Sequence, residues 1–421
     1  MDSEVIIIGA GVTGLAAGIG LQVKAIVLEK DETPGGIVKS FQFDNGYWFD
    51  NVVHLLHVRN DRMREWFMSL MGDTLRSCPP VGYVQTKEGK TKYPIQSNIN
   101  GLNEKAAEVC WAGLEDAHAK RTSLSYREFL LNTFGQGLCD IFFFPYNEKC
   151  WKYPLDDMTS AGQVWNINKP NDGKTYNAEG YYPRPAKNSS IRGMEILVQA
   201  MARKLYNLQL GCEVLTIDLD KHDLWTNLGC YHYESECVST IPLPYLARLC
   251  NMPTSLKNDV GKLRWNKVIS IAVMLSGERP KNTGHWCYYA DPQIPFSKLI
   301  YMTEFDEYNA PASGFGILVE VPEAHNKHTL TKDELCGDVI IALEKLGILN
   351  KTNHLINICT WEVDPAYVVF TKETPSIVDN CIEYFDKFGI KLLGRYGKWE
   401  YSSMAENIES GLDYALKFNR R

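Results

Sequence analysis

Four apolar residues in a row, Val5-Ile6-Ile7-Ile8, open the chain's pattern and break at a glycine. A continuous β-branched run predicts a strand buried on both faces of a parallel sheet. Ala25-Ile26-Val27-Leu28 is a second such run, and the helix-favouring Leu15-Ala16-Ala17 lies between them. Over residues 60–72 the period changes: Met63, Trp66, Phe67, Leu70 and Met71 share one helical face, and Gly72 stops it. Residues 80–96 alternate around Gly89, which predicts a hairpin ending in Tyr93-Pro94. Residues 103–140 read as helical, with Leu114, Phe129, Leu130 and Phe134 as core positions of a small subdomain. Asn188–Asn207 is a further helix, with Met194, Leu197, Val198 and Met201, and precedes the strand Cys212–Ile217. Val268–Leu275, Trp286–Tyr289, Lys298–Thr303 and Gly316–Val321 follow as strands of an antiparallel sheet, and Thr331–Lys345 as a helix. No internal repeat or low-complexity tract is visible.

The break after Ile8 carries chemistry. Gly9-Ala10-Gly11-Val12-Thr13-Gly14 has the G-x-G-x-x-G spacing between a strand and a helix. Gly9 permits the tight turn, Gly11 admits a pyrophosphate against the backbone, and Gly14 allows close helix–strand packing. The helix N-terminus then offers N–H donors and positive dipole to phosphates. Glu29 ends the second strand, where a carboxylate binds ribose hydroxyls. The fold class is therefore α/β, with a Rossmann-type dinucleotide-binding domain.

Composition narrows the class without naming an activity. The 421 residues allow two or three domains. With 44 Lys+Arg against 51 Asp+Glu, net charge −7, a predominantly basic nucleic-acid binder does not fit. No stretch reaches the roughly 20 apolar residues of a membrane helix. Acidic residues Asp2 and Glu4 flank the first run, so it reads as a strand and not a signal peptide. Twelve cysteines without a C-x-x-C pair or cluster read as buried thiols in a reducing, cytoplasmic compartment.

After Glu29-Lys30 come Gly35-Gly36, then Gly46-Tyr47-Trp48-Phe49-Asp50 and Val53-His54. This order resembles the glutathione-reductase-like FAD superfamily, in the branch of amine oxidases, protoporphyrinogen oxidase and UDP-galactopyranose mutases. Further stretches resemble the mutases. Tyr93-Pro94-Ile95-Gln96-Ser97-Asn98-Ile99 is similar to their YPFQxNI, and Pro145-Tyr146-Asn147-Glu148-Lys149-Cys150-Trp151 to PYNxKxW. Pro295-Phe296-Ser297-Lys298 through Asn309-Ala310-Pro311 has a counterpart there, and Gly394-Arg395 through Tyr401-Ser402-Ser403-Met404 resembles the terminal GRxGxxxYxxM.

The resemblance implies FAD, reduced for activity, held by Gly9, Gly11, Gly14, Glu29, Lys30, Gly35, Gly36, His54, Val214, Arg395 and Met404. Arg395 is placed on the flavin diphosphate, Val214 on adenine, His54 beside the isoalloxazine, and Ser239-Thr240 near the cofactor. The helix beginning near Met404 would turn its N-terminus toward the flavin, favouring negative charge there. Catalytic and substrate-binding roles fall on His54, Arg184, Lys298, Tyr367 and Tyr401, with Lys187 or Arg192 as substitutes for Arg184. Trp165 and Tyr153 are candidates for a nucleotide wall or for core packing.

Two departures stand out. Val52-Val53 replaces the family's Gly-Gly, and Lys298 replaces an arginine, keeping charge but losing the bidentate fork. His54 and His57 have a metal-pair spacing with no supporting ligand cluster, so no metal is expected.

The implied activity is a sugar-nucleotide mutase interconverting pyranose and furanose forms of an NDP-sugar through a reduced-flavin N5–sugar adduct. An FAD-dependent oxidoreductase of the amine oxidase or protoporphyrinogen oxidase type is the alternative, and a non-catalytic flavin scaffold a third. Expected partners are a UDP-linked sugar and a reductant such as NAD(P)H. A homo-oligomer is compatible; nucleic acid and a membrane span are not expected. The expected division is a discontinuous FAD domain of 1–60, 190–250 and 355–421. It carries a cap of 61–189, with hairpin and helical subdomain, and an antiparallel-sheet substrate domain of 251–354.

Overall fold

The computed structural model describes residues 1–43, 46–117, 125–160, 180–186, 189–325, 327 and 330–421. The first apolar run lies in the strand Asp2–Ile8, which pairs in parallel with Ala25–Leu28 on one side and Gly229–Ser239 on the other. These centre a seven-stranded sheet whose order runs Leu208–Gln209, Ala25–Leu28, Asp2–Ile8, Gly229–Ser239, Asp223–Thr226, Val214–Asp218. Ile390–Leu392 joins beside Gly229–Ser239. Val5, Ile6 and Ile7 have no exposed surface, because helices cover both faces of the sheet.

The helix Val12–Leu21 is buried along most of its length against the C-terminal helix Met404–Phe418. Their backbones approach so closely that a Cβ on Gly411 would lie 2.4 Å from the Thr13 carbonyl oxygen. The last helix therefore returns the chain end to the first phosphate-binding turn.

The second sheet also has seven strands, ordered Asn353–Val369, Arg264–Gly277, Gly314–Ala324, Lys298–Tyr301, Trp286–Tyr289, Gly82–Thr86, Gly89–Lys92. On one face Ile269, Ile271, Val273 and Leu275 pack against Leu335, Val339, Ala342 and Leu343 of the helix Lys332–Lys345. The other face turns toward the dinucleotide sheet. Beside it the helices Glu104–Asp116, Tyr126–Leu138 and Phe144–Trp151 form a separate core around Phe134, Phe142 and Phe143.

Several expected elements are corrected. The second sheet is mixed, because Gly82–Thr86 runs parallel to Trp286–Tyr289. Its hairpin thus extends the second sheet and is not confined within residues 61–189. Likewise Asn353–Val369 pairs along Arg264–Gly277, so the FAD range 355–421 begins inside the second sheet. Non-local pairing decides both, and strand periodicity carries no information about the neighbour. Lys298–Thr303 stops as a strand at Tyr301 and turns into Met302–Phe305. The helical 103–140 is two described helices, and the 188–207 helix is shorter, Glu195–Ala202. Asn60 caps Asp61–Met71 by accepting the Met63 N–H.

All twelve cysteines are free thiols. Among the described residues no helix is long and apolar enough to cross a membrane.

Candidate active site

A cavity of about 830 Å³ opens between the two sheets, at the carboxyl ends of the parallel strands. The glycine turn forms its floor at one end. Gly14 does not face the cavity: its Cβ would stand 2.0 Å from the Gly9 carbonyl oxygen, so glycine is required for packing. At Gly11 the opposite holds. A Cβ there meets nothing within 4 Å, leaving open space at the N-cap of Val12–Leu21. That first turn has neither an acidic residue nor a side-chain cap, so its N–H groups remain available to phosphate. Gly35 and Gly36, with φ of 117° and 57°, bring a second turn against the first; the Gly35 N–H donates to the Ala10 carbonyl at 2.8 Å.

Glu29 is buried, its two carboxylate oxygens accepting the Ala10 and Asp31 N–H groups at 2.8 and 3.0 Å. These bonds fix the carboxylate while leaving lone pairs for hydroxyls. Lys30 and Val214 also line this end, together with Thr240.

The far end holds the groups drawn from distant sequence. Asn407, on the C-terminal helix, accepts the Arg395 N–H at 2.6 Å and the Thr13 hydroxyl at 3.3 Å, tying three segments together. The Arg395 guanidinium lies 4.3 Å from the Tyr401 ring centroid and 5.5 Å from that of Tyr367. The two tyrosine rings stack at 6.1 Å, each also meeting Trp151 near 6 Å. Burial pushes both phenols above their ordinary pKa, so they remain protonated donors.

On the opposite wall Lys298 points in from the second sheet. Its ammonium lies 3.4 Å from a carboxylate oxygen of Glu320, and Glu320 also accepts the Val53 N–H at 3.4 Å. Their side chains are 13% and 3% exposed, so this is a desolvated pair and not a free surface lysine.

His54 lies beside it. Its Nδ1 is buried without a partner, and burial, together with the charges of Arg395 and Lys298, lowers its pKa to about 4. The ring is neutral near pH 7. His57 also lines the cavity, but among the described residues no group of three potential ligands could hold a metal ion.

These features fit a flavin dinucleotide: an open glycine cradle, uncapped amides, a fixed carboxylate, and buried orphan atoms at His54 Nδ1 and Arg395 Nε. The two valines that replace glycines both line the cavity. Val52 packs with Ile37 and Trp361 in a small cluster, and Val53 against the main core.

Gly9, Gly11, Glu29, Lys30, Gly35, Gly36, His54, Val214, Lys298, Tyr367, Arg395, Tyr401 and Met404 all reach this cavity. Arg184 does not: it lies 3.6 Å from buried Asp306, off the cavity wall. Arg192 stands over the Tyr308 ring instead, and Tyr153 lines another cavity. Lys187 and Trp165 lie outside the described residues. The Met404 helix is capped by a reciprocal Ser403–Glu406 box, which places a carboxylate where only positive dipole was expected.

Sequence reasoning missed Glu320, Trp286 and Tyr288, all cavity-lining. Glu320 had a signal, as the lone acid inside the apolar run Gly316-Ile317-Leu318-Val319-Glu320-Val321.

The fold and site define a flavoenzyme architecture. The model of the flavin containing amine oxidoreductases matches residues 12–373, and the chain belongs to that family. Among solved structures the chain is similar to a reduced UDP-galactopyranose mutase, at TM-score 0.88 and 22% identity. That alignment covers 100% of this chain and 94% of the other. A CLA-producing fatty acid isomerase from P. acnes aligns with TM-score 0.70 and 14% identity over 99% and 98% of the two chains. Wild-type putrescine oxidase bound to putrescine aligns with TM-score 0.69 and 13% identity over 100% of both. At such identities the likeness concerns the fold, which hosts isomerases and oxidases alike.

Proposed function

We propose that the protein is an FAD-dependent mutase that interconverts the pyranose and furanose forms of a nucleotide-linked sugar, with the flavin reduced. The observation that carries this reading is the meeting of Arg395, Lys298 and the stacked Tyr367–Tyr401 pair in one cavity. A nucleoside diphosphate needs charge-assisted donors, and a sugar needs flat faces with polar tips. Arg395 is held against two rings with its backbone anchored to Asn407, so it meets an anion without reorganisation. Tyr367 and Tyr401 donate protonated phenols, and neutral His54 presents a ring nitrogen without repelling a cationic centre. When bound, the flavin supplies the nucleophilic or hydride-accepting chemistry that none of these side chains provides.

One observation favours a second reading. Glu320 neutralises Lys298, leaving a cavity end lined by Trp286 and Tyr288, the latter backed by the Tyr93 and Tyr146 rings, that suits a less anionic substrate and an oxidase reaction. The test is to incubate dithionite-reduced, FAD-loaded protein with UDP-galactopyranose and separate the products chromatographically. Appearance of the furanose form, lost on reoxidation, is expected. Full turnover with oxidised flavin, or no furanose but substrate-dependent oxygen consumption across a panel of amines, would overturn the mutase reading.

A further inference from the structure

A second cavity, of about 720 Å³, lies behind the first. Arg248 lines both, so the two adjoin there. Its described walls carry Lys152, Arg248, Lys257 and Arg264 and no acidic side chain, within a chain of net charge −7. Among the described residues no salt bridge engages any of these four cations, and the nearby carboxylate of Glu323 acts on Lys152 at longer range. Arg264 is tied back by its own chain, donating to the Gly261 and Leu263 carbonyls at 3.0 and 3.1 Å. That aims a guanidinium without consuming its charge.

An aromatic wall stands beside these cations. Trp265 and His325 lie against each other with centroids 3.9 Å apart. Asp364 holds both: one oxygen accepts the Trp265 indole N–H at 2.7 Å, and the other is 3.2 Å from His325 Nδ1. The carboxylate is thereby engaged behind the rings, and Tyr153 adds another ring to the lining. Lys152, Arg248, Lys257 and Arg264 are exposed residues sharing one concavity whose described walls carry no acidic side chain, so its local potential favours an anion. The volume far exceeds a phosphate and suits a ligand with both a charged group and a flat one.

We propose that this second cavity binds a nucleoside phosphate, its phosphates on Lys152, Lys257 and Arg264 and its base against the Trp265–His325–Tyr153 wall. The site is separate from the flavin cavity and independent of whether the protein acts on a sugar nucleotide.

The test titrates FAD-loaded protein with ADP by calorimetry, so that the dinucleotide cradle is already filled. Saturable binding is expected, and the Lys257→Glu/Arg264→Glu variant should lose about tenfold in affinity per cation removed, at unchanged flavin content. A second pair, Lys152→Glu with Lys257→Glu, reads the same loss without disturbing the Arg264 carbonyl bonds. Lys298→Met, in the first cavity, should leave ADP affinity unchanged, and adenosine should bind far more weakly than ADP. No binding to wild type, full binding to both double variants, loss of binding in Lys298→Met, or adenosine binding as tightly as ADP would each overturn the assignment.

Discussion

At the scale of single residues, the site contrasts groups fixed by packing with groups left open for a ligand. Gly11 is the clearest case, since a side chain there fills empty space and not protein. Gly11→Val should therefore fold, by circular dichroism, yet purify with little or no flavin. His54 gives a pH signature. The unfolded chain takes up this proton near pH 6.5, while the folded imidazole resists it until about pH 4. Its contribution is thus full above pH 6.5 and is lost as pH falls toward 4. Denaturation midpoints of flavin-free protein should drop less over that interval in His54→Asn than in wild type; an equal drop contradicts the assignment. Glu320 offers a third measurement. Glu320→Gln removes the counter-charge held 3.4 Å from Lys298, so UDP affinity should rise roughly tenfold, read by calorimetry.

At the scale of elements, one of the quoted motifs serves architecture. Lys149, in the helix Phe144–Trp151, is buried and donates its ammonium to the carbonyls of Tyr289, Asp291 and Phe296 at 2.9, 2.5 and 3.2 Å. It pins the helical subdomain to the second sheet. Lys149→Met takes the ammonium from all three carbonyls, of which Asp291 still accepts the Ile294 N–H, and should cost about 2–4 kcal/mol in chemical denaturation, while flavin content is retained. The neighbouring Asn147 does similar work, accepting from the Tyr126 phenol and the Trp151 indole. Trp151 in turn touches Tyr367 and Tyr401, so the motif orients these two cavity-lining rings without itself lining the cavity.

At the scale of the whole molecule, the cavity is the seam between two seven-stranded sheets, lined by residues as far apart as Ile8 and Asn407. A dinucleotide lying in it touches both halves, so its binding energy adds to global stability. Removing the flavin should lower Tm by several degrees and broaden the transition, with recovery on adding FAD. An unchanged Tm would mean that the two halves are joined independently of the cofactor.

The dinucleotide cradle was legible in the chain because strand, glycines, helix and Glu29 are contiguous, and local sterics alone assign each its task. The C-terminal segment was singled out through resemblance alone, and His54, Lys298, Tyr367, Arg395 and Tyr401 do reach the cavity. The partners of these residues were not legible. That Glu320 neutralises Lys298, that Asn407 joins Arg395 to Thr13, and that Arg184 turns to Asp306 depend on distant segments meeting. Sequence patterns report which residues a face carries, because periodicity is a local property of the backbone. Which face another segment covers, and hence which charges remain free, follows from long-range pairing and burial. So the chain itself determined a place for a dinucleotide, and only the tertiary structure decided the electrostatics around what it meets.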